Sequence, residues 1–108
     1  MGRRRPTKPE APELAQTLHG AVVEATLDLH GRNAAQALRR VETFLDLWAR
    51  QSPGAVLRII TGKGNRSAGA PVLRSKVGDL LRAEVGGRIS EMVLDAGGGG
   101  WLIRIRVP

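Results

Sequence analysis

The sequence contains no cysteine, which excludes disulfide bonds, zinc sites built from thiolates and cysteine nucleophiles. It also has no apolar run near the roughly 20 residues that a membrane-spanning helix needs. The basic start of the chain, MGRRRPTKPEAPE, has no apolar stretch after its charges and therefore lacks the pattern of a secretory signal. We expect a cytoplasmic protein that does not associate with membranes.

Lysine is scarce, whereas arginine is abundant. The chain has 14 arginines and 3 lysines against 10 acidic residues, which gives a formal net charge of +7. Arginine presents a planar set of donors that can bind one phosphate through two hydrogen bonds. A strongly basic small domain is typical of a protein with a phosphate-rich partner, although a solvated, arginine-rich surface has the same composition.

The 108 residues are enough for one domain, which we expect to be monomeric. The sequence of residues 1–20 predicts a basic, proline-rich, flexible arm, because proline fixes φ and removes the backbone donors that a helix or strand needs. This arm either follows a phosphate backbone or has no binding role, and its sequence favours neither. The folded domain is predicted over residues 21–108.

Hydrophobic periodicity predicts the element order βαβαββ within that domain. The predicted elements are a strand over residues 22–30, a helix capped by Asn33 and ended by residues 52–54, a strand over 55–60, a helix from Pro71 to residues 86–87, and strands over 89–96 and 101–107 joined by four glycines. In the first strand, Val23, Ala25, Leu27 and Leu29 are expected to share one buried face.

This order predicts an α/β fold, a two-layer α+β sandwich of two helices on a mixed sheet of about four strands. Each β–α–β connection makes its two strands parallel. The final hairpin is expected to add an antiparallel edge to the sheet.

Asp28 and His30 end the first predicted strand. Residues two apart on a strand project from the same face, so the carboxylate could orient or stabilise the imidazole. Histidine is the side chain that gives and takes protons near neutral pH, which makes the two residues a candidate catalytic pair. In the alternative interpretation, Asp28 caps the following turn and His30 is a partly buried, hydrogen-bonded residue.

A glycine-rich basic loop follows the second predicted strand and precedes a helix. Glycines let a backbone approach phosphate closely, and free amides at a helix start favour anions. The candidate phosphate-binding residues are Arg32 beside the Asp-x-His pair, and Gly62, Lys63, Gly64, Asn65, Arg66 and Ser67 in the loop. Because parallel neighbouring strands end at one edge, the pair and the loop are expected to meet there. A flexible basic loop without a ligand is equally compatible with the sequence.

Three side chains near the end of the chain leave two interpretations open. Trp101, beside the glycine run, fits either the core or a stacking surface for a base. Arg104 and Arg106, on one face of the last strand, fit either a solvated surface or a second phosphate contact.

Together these motifs resemble the Smr domain, the small MutS-related domain found at the C-terminus of MutS2 proteins and as a stand-alone protein. The resemblance covers about residues 22–107 and rests on LDLHG at 27–31, ITGKGN at 60–65, PVLR at 71–74 and GGGG at 97–100. It implies a fold like the C-terminal domain of bacterial translation initiation factor three. It also implies DNA or RNA binding and endonuclease activity, with Asp28 and His30 matching the proposed catalytic pair and the Gly62–Gly64 loop matching a phosphate-facing motif.

The chain departs from many members of that family at Thr61, where they have histidine, so the edge of the sheet holds one histidine instead of two. Our hypothesis is that His30, oriented by Asp28, moves the proton in RNA cleavage, while Lys63 and the loop amides stabilise the phosphate. DNA nicking stays open. The sequence requires no cofactor and predicts no metal site, although Mg²⁺ at Asp28, with Asp95 as a conjectural second carboxylate, also stays open. The alternative is a non-catalytic DNA- or RNA-binding module in repair, recombination or ribosome-associated processes.

Overall fold

Four strands and two helices alternate in the predicted order. A computed structural model describes residues 18–62 and 69–108. The elements are β1 (Ala25–Asp28), α1 (Ala34–Gln51), β2 (Val56–Ile60), α2 (Ala70–Glu84), β3 (Ile89–Leu94) and β4 (Gly100–Ile105). This confirms the βαβαββ order and the mixed sheet with helices.

The strands lie in the order β1-β2-β4-β3. β1 and β2 are parallel, whereas β4 is antiparallel to both β2 and β3. The final hairpin therefore adds an antiparallel edge to the sheet, as expected, and β4 is its inner strand. The physical reason is that β4 is apolar on both faces: Trp101 and Ile103 join the core beneath the helices, and Leu102 is buried on the other face. An inner position buries both faces.

Helix α1 begins and ends as its sequence predicts. The Asn33 side chain accepts a hydrogen bond from the Gln36 amide at 2.8 Å, and the Gln36 side chain accepts one from the Asn33 amide at 3.3 Å. This capping box satisfies two backbone donors at the helix start. The helix ends at Gln51, and the chain turns at Gly54, whose φ of +89° favours glycine.

The main core lies between the two helices and one face of the sheet. Each helix contributes one apolar stripe at the predicted spacing, and the sheet contributes the alternate residues of β2 and β4. The central members are Ala37, Val41, Leu45, Leu57, Ile59, Leu73, Val77, Leu81, Trp101, Ile103 and Ile105. This packing fixes the helices on one face, so that both helices start near the ends of strands.

A smaller apolar cluster covers the other face of the sheet. Leu18 is fully buried against Val56 and Leu102, and Val23 packs on the same cluster. The prediction that Val23 shares a face with the β1 side chains is wrong, because Ala25 and Leu27 pack on the main core whereas Val23, which precedes the strand, packs on this second cluster. Of the arm predicted over residues 1–20, the first seventeen residues lie outside the described ranges.

Candidate functional site

The ends of β1 and β2 lie side by side at one edge of the sheet. Asp28, the last residue of β1, is paired with Ile60, the last residue of β2. The Leu29 amide then donates to the Ile60 carbonyl oxygen at 2.7 Å. The segments that follow both strands therefore start next to each other, as expected from parallel neighbours. We call this edge, with Asp28, His30, Arg32, Thr61 and Gly62, the rim.

Asp28 and His30 form a hydrogen-bonded pair at the rim. The His30 Nδ1 atom lies 2.7 Å from Asp28 Oδ1, and the His30 amide donates to the same oxygen at 3.1 Å. His30 is not on the strand as expected. It lies in a turn in which the Arg32 amide donates to the Leu29 carbonyl at 3.1 Å and Gly31 has a φ of +81°. The contact therefore arises from this turn, which bends the chain back over Asp28.

The electrostatics of the pair fix which histidine nitrogen is free. The hydrogen bond from the His30 ring is the main cause that lowers the pKa of Asp28 from 3.8, with smaller effects from the His30 amide and from the charges of His30 and Arg32. An ionised carboxylate only accepts hydrogen bonds, so Nδ1 carries the proton that it donates. In the neutral ring, Nε2 then has a free lone pair.

Both members of the pair are open to solvent. The side chain of His30 is 71% exposed and that of Asp28 is 51% exposed, whereas Leu29 between them is fully buried. Leu29 therefore anchors the turn in the core, while the imidazole points away from it. This exposure contradicts the part of the alternative in which His30 is partly buried, whereas the bond from the His30 amide to Asp28 confirms the other part, in which Asp28 caps the turn.

Thr61 and Gly62 hold the start of the loop after β2. Their amides donate to the Gly99 carbonyl oxygen at 2.9 and 3.0 Å, and the Thr61 hydroxyl donates to it at 3.4 Å. Thr61 is only 1% exposed. Its hydroxyl is therefore not available at the surface in place of the second histidine that the resemblance implies. The Gly62 amide is also engaged within the protein, and its φ of +102° serves the change of direction.

The sequence predicts phosphate binding by five further residues of this loop. Lys63, Gly64, Asn65, Arg66 and Ser67 lie outside the described residues, and their role stays a prediction. The two ends of this segment are Gly62 and Gly69, the N-cap of α2. The loop therefore leaves from the rim and returns to the start of a helix, as the sequence predicts.

Arg74 supports the rim, a role that the sequence did not predict. Its Nη1 atom donates to the carbonyl oxygens of Gly62 at 3.3 Å and Gly98 at 3.1 Å. It thereby joins α2, the loop after β2 and the turn between β3 and β4. The only sequence signal for Arg74 was its place in the PVLR motif, because its two acceptors are far away along the chain.

The other candidates from the last strands are engaged within the protein. Trp101 is 9% exposed, and its Nε1 donates to the Arg74 carbonyl at 3.1 Å, so it belongs to the core. Arg104 donates to Glu91 at 3.1 Å, and Arg106 to the Gly86 carbonyl at 3.0 Å. These contacts favour structural roles for all three.

The carboxylates of the described residues do not assemble a metal site. Within residues 18–62 and 69–108, no group of three or more His, Cys, Asp or Glu side chains could hold a metal ion. Asp95, the conjectural second carboxylate, accepts a hydrogen bond from Arg58 Nε at 3.0 Å. A paired-metal site, which needs several carboxylates, therefore does not fit this part of the chain.

Comparison with known families identifies the domain. No curated protein has significant similarity to the chain. Across the described ranges, neither helix is long and apolar enough to cross a membrane. The sequence matches the Smr domain over residues 27–102, which runs from β1 into β4 and includes the whole rim. The chain therefore belongs to the Smr domain family, whose members are nucleic-acid-binding and endonuclease-type domains.

Proposed function

We propose that this Smr domain holds a nucleic-acid backbone at the rim and cleaves RNA there, with His30 as general base. The observation that carries the proposal is the 2.7 Å contact between His30 Nδ1 and Asp28 on an imidazole that is 71% exposed. This contact orients the ring and leaves Nε2 available to substrate. A base placed in this way is typical of enzymes that remove a proton from a hydroxyl.

The proposed step uses the 2′-hydroxyl of the ribose as nucleophile. His30 Nε2 accepts the 2′-hydroxyl proton while the 2′ oxygen forms a bond to phosphorus. The bond between phosphorus and the 5′ oxygen breaks, and this leaving oxygen takes a proton from water. The products are a 2′,3′-cyclic phosphate and a 5′-hydroxyl. A single histidine suffices for this step.

Stabilisation of the phosphate is assigned to the loop that starts at Gly62. Lys63 and the backbone amides of the glycine-rich segment would oppose the negative charge that develops on the phosphate. Arg32 adds a cation close enough to lower the pKa of Asp28. The net charge of +7 favours a polyanionic substrate in general.

The test uses purified protein with labelled single-stranded RNA and supercoiled plasmid, each with and without Mg²⁺. A DNA oligonucleotide that contains one ribonucleotide separates the possible mechanisms. We expect cleavage after the ribonucleotide without Mg²⁺, and a 2′,3′-cyclic phosphate end on the product. Equal cleavage of the all-DNA oligonucleotide would exclude the 2′-hydroxyl as nucleophile. Activity that EDTA abolishes and Mg²⁺ restores would favour a metal at Asp28 instead.

Substitution of the pair gives the first prediction. We expect His30→Ala to lower the cleavage rate at least about 100-fold, because a positioned base contributes roughly that factor or more. Asp28→Asn should reduce the rate by at least about tenfold, because an amide no longer fixes the ring nitrogen that carries the proton. His19→Ala is the matched control, since the His19 ring donates to the Leu94 carbonyl at 2.8 Å on β3, at the other edge of the sheet.

A binding module without catalysis is the competing function, and it is favoured by the presence of a single histidine at the rim. In that case no oligonucleotide is cleaved, while binding persists and weakens with salt. Asp28→Asn should then leave affinity unchanged or raise it, because it removes a negative charge from the rim. Cleavage by the His30→Ala variant at the wild-type rate would contradict the catalytic proposal.

A further inference from the structure

A groove of about 560 Å³ runs beside α1 and the edge strand β1. Its apolar lining is provided by Leu27 on β1 and by Phe44 and Leu47 on α1. Its polar lining includes Arg39 and Arg40 in the first half of α1, and also Arg32 of the rim. The groove therefore combines an apolar floor with a cationic border, and it begins beside the candidate catalytic pair.

The three groove arginines differ from four of the other seven arginines in the described ranges. Arg58, Arg82, Arg88 and Arg104 each form a salt bridge with a carboxylate. Arg32, Arg39 and Arg40 are exposed, and none has a salt bridge within the part of the chain that the structure describes. Three cations that line one groove without a salt-bridge partner repel one another, with only Asp28 near Arg32 to oppose this, and an anionic ligand would reduce that repulsion.

The groove floor offers an aromatic surface. Phe44 is half-buried, and its ring packs edge-to-face against Trp48 with the ring centroids 6.3 Å apart. Trp48 therefore holds the phenyl ring in place, and Leu47 is 39% exposed beside it. Aromatic rings that line a basic groove are the usual stacking surfaces for unpaired bases. A duplex cannot use such a surface, because its bases already stack on one another.

We propose that this groove binds the single-stranded segment that flanks the scissile phosphate, with one base on Phe44 and its phosphates at Arg32, Arg39 and Arg40. The position next to the cleaved bond rests on the proposed function, whereas the binding itself does not. The cationic border of the groove favours a polyanion as its ligand, and the aromatic floor favours a polyanion with unstacked bases. Single strands should therefore bind more tightly than duplexes of the same length.

The test measures fluorescence anisotropy of a labelled 12-nucleotide 2′-O-methyl oligouridine, which has no free 2′-hydroxyl to act as nucleophile. The double substitution Arg39→Ala and Arg40→Ala should weaken binding about tenfold or more, since each lost charge-assisted contact is a strong one. The control is Arg50→Ala with Arg82→Ala. It removes the same charge from exposed positions in the last turns of α1 and α2, and should change affinity less than about twofold.

Phe44 is tested by two substitutions that keep its volume largely filled. Phe44→Leu removes the aromatic face and should weaken binding of the oligouridine about fivefold, while Phe44→Tyr should retain the wild-type affinity. Circular dichroism melting of each variant checks that the fold is kept. Binding of a 12-base-pair duplex should be unaffected by Phe44→Leu. An equal loss for duplex and single strand would overturn the base contact.

The outcomes separate this proposal from the catalytic one. If the groove variant binds as the control variant does, the groove is not the binding site, whatever His30→Ala does to cleavage. If His30→Ala cleaves RNA at the wild-type rate while the groove variants lose affinity, the groove proposal is supported and the catalytic role of His30 is contradicted. A 12-residue glutamate peptide that binds as tightly as the oligouridine would overturn the assignment of a nucleic acid.

Discussion

The Asp28 carboxylate reports directly on the orientation of His30. Its pKa lies below 3.8, mainly because of the hydrogen bond from the His30 ring. A carboxyl group whose pKa falls on folding stabilises the folded state above its unfolded pKa. It loses that contribution as the pH falls through the lower, folded pKa. The Asp28–His30 contact should therefore contribute to stability at neutral pH and cease to do so in acid below pH 3.8.

This gives a prediction for NMR titration of the Asp28 carboxyl carbon. The wild-type midpoint should lie below 3.8 and should rise toward that value in His30→Ala, because the main cause of the shift is removed. The effect on the free energy of unfolding should stay below about 1 kcal/mol, since both side chains are more than a third exposed. An unchanged midpoint in His30→Ala would show that the contact does not exist in solution.

Sequence spacing predicted the contact between Asp28 and His30, because the two residues are close along the chain. It could not predict that Thr61 and Gly62 are held by Gly99, because that contact joins segments nearly forty residues apart. Gly100 is a similar case. The sequence suggests that it belongs to the turn, but it lies in β4, where a Cβ would overlap the Ile59 carbonyl oxygen. Glycine is needed there for close approach of two strands.

Arg88 links the two helices to the start of β3. Its side chain is 22% exposed and contacts three carboxylates: Glu84 at 2.9 Å, Glu42 at 2.6 Å and Asp46 at 2.6 Å. The hydrogen bond to Glu84 is the largest cause that raises the pKa of Arg88, and it lowers the pKa of Glu84 in turn. Glu42 and Asp46 are four residues apart on α1 and would repel each other without the arginine.

We predict that Arg88→Ala lowers the free energy of unfolding by about 2–3 kcal/mol, because it leaves three carboxylates near each other around a partly buried site. Arg82→Ala is the control. Its salt bridge with Asp79 joins side chains that are 63% and 74% exposed, and its loss should cost about 0.5 kcal/mol or less. Urea unfolding at neutral pH measures both.

Two outcomes decide whether the Arg88 cluster acts as described. Adding Glu42→Gln to Arg88→Ala should recover part of the lost stability, because it removes one of the repelling charges. Equal effects of Arg88→Ala and Arg82→Ala would contradict the special role of the cluster. The helices themselves follow from apolar spacing and capping residues, but this cluster could not be predicted, because no spacing rule connects residue 42 with residue 88.

The charge of the whole chain should govern how tightly it holds a polyanion. The three groove arginines on phosphates should give a plot of the logarithm of the single-strand binding constant against the logarithm of the salt concentration a slope of about −2, and each further contact, such as that of Lys63, should steepen it. Raising the salt from about 50 to 200 mM should then weaken binding of the oligouridine about 20-fold or more. Anisotropy titrations across this range measure the slope.

The groove variant provides the internal check on that slope. Removing Arg39 and Arg40 should make the slope shallower by about 1.4, since each phosphate contact on a single strand contributes about 0.7. The Arg50 and Arg82 control should keep the wild-type slope. An affinity that does not respond to salt would mean that the charge of +7 serves some purpose other than phosphate contact.

β4 follows every other element in sequence, yet it is an inner strand, and this determines when the sheet can close during synthesis. β4 pairs with both β2 and β3, so neither has its full set of partners until residues 100–105 have been made. The β1–α1–β2 half can form earlier, but one side of β2 then offers unpaired amides and carbonyls to other nascent chains. Folding is therefore completed late, and the interval before it is when this chain is most exposed to aggregation.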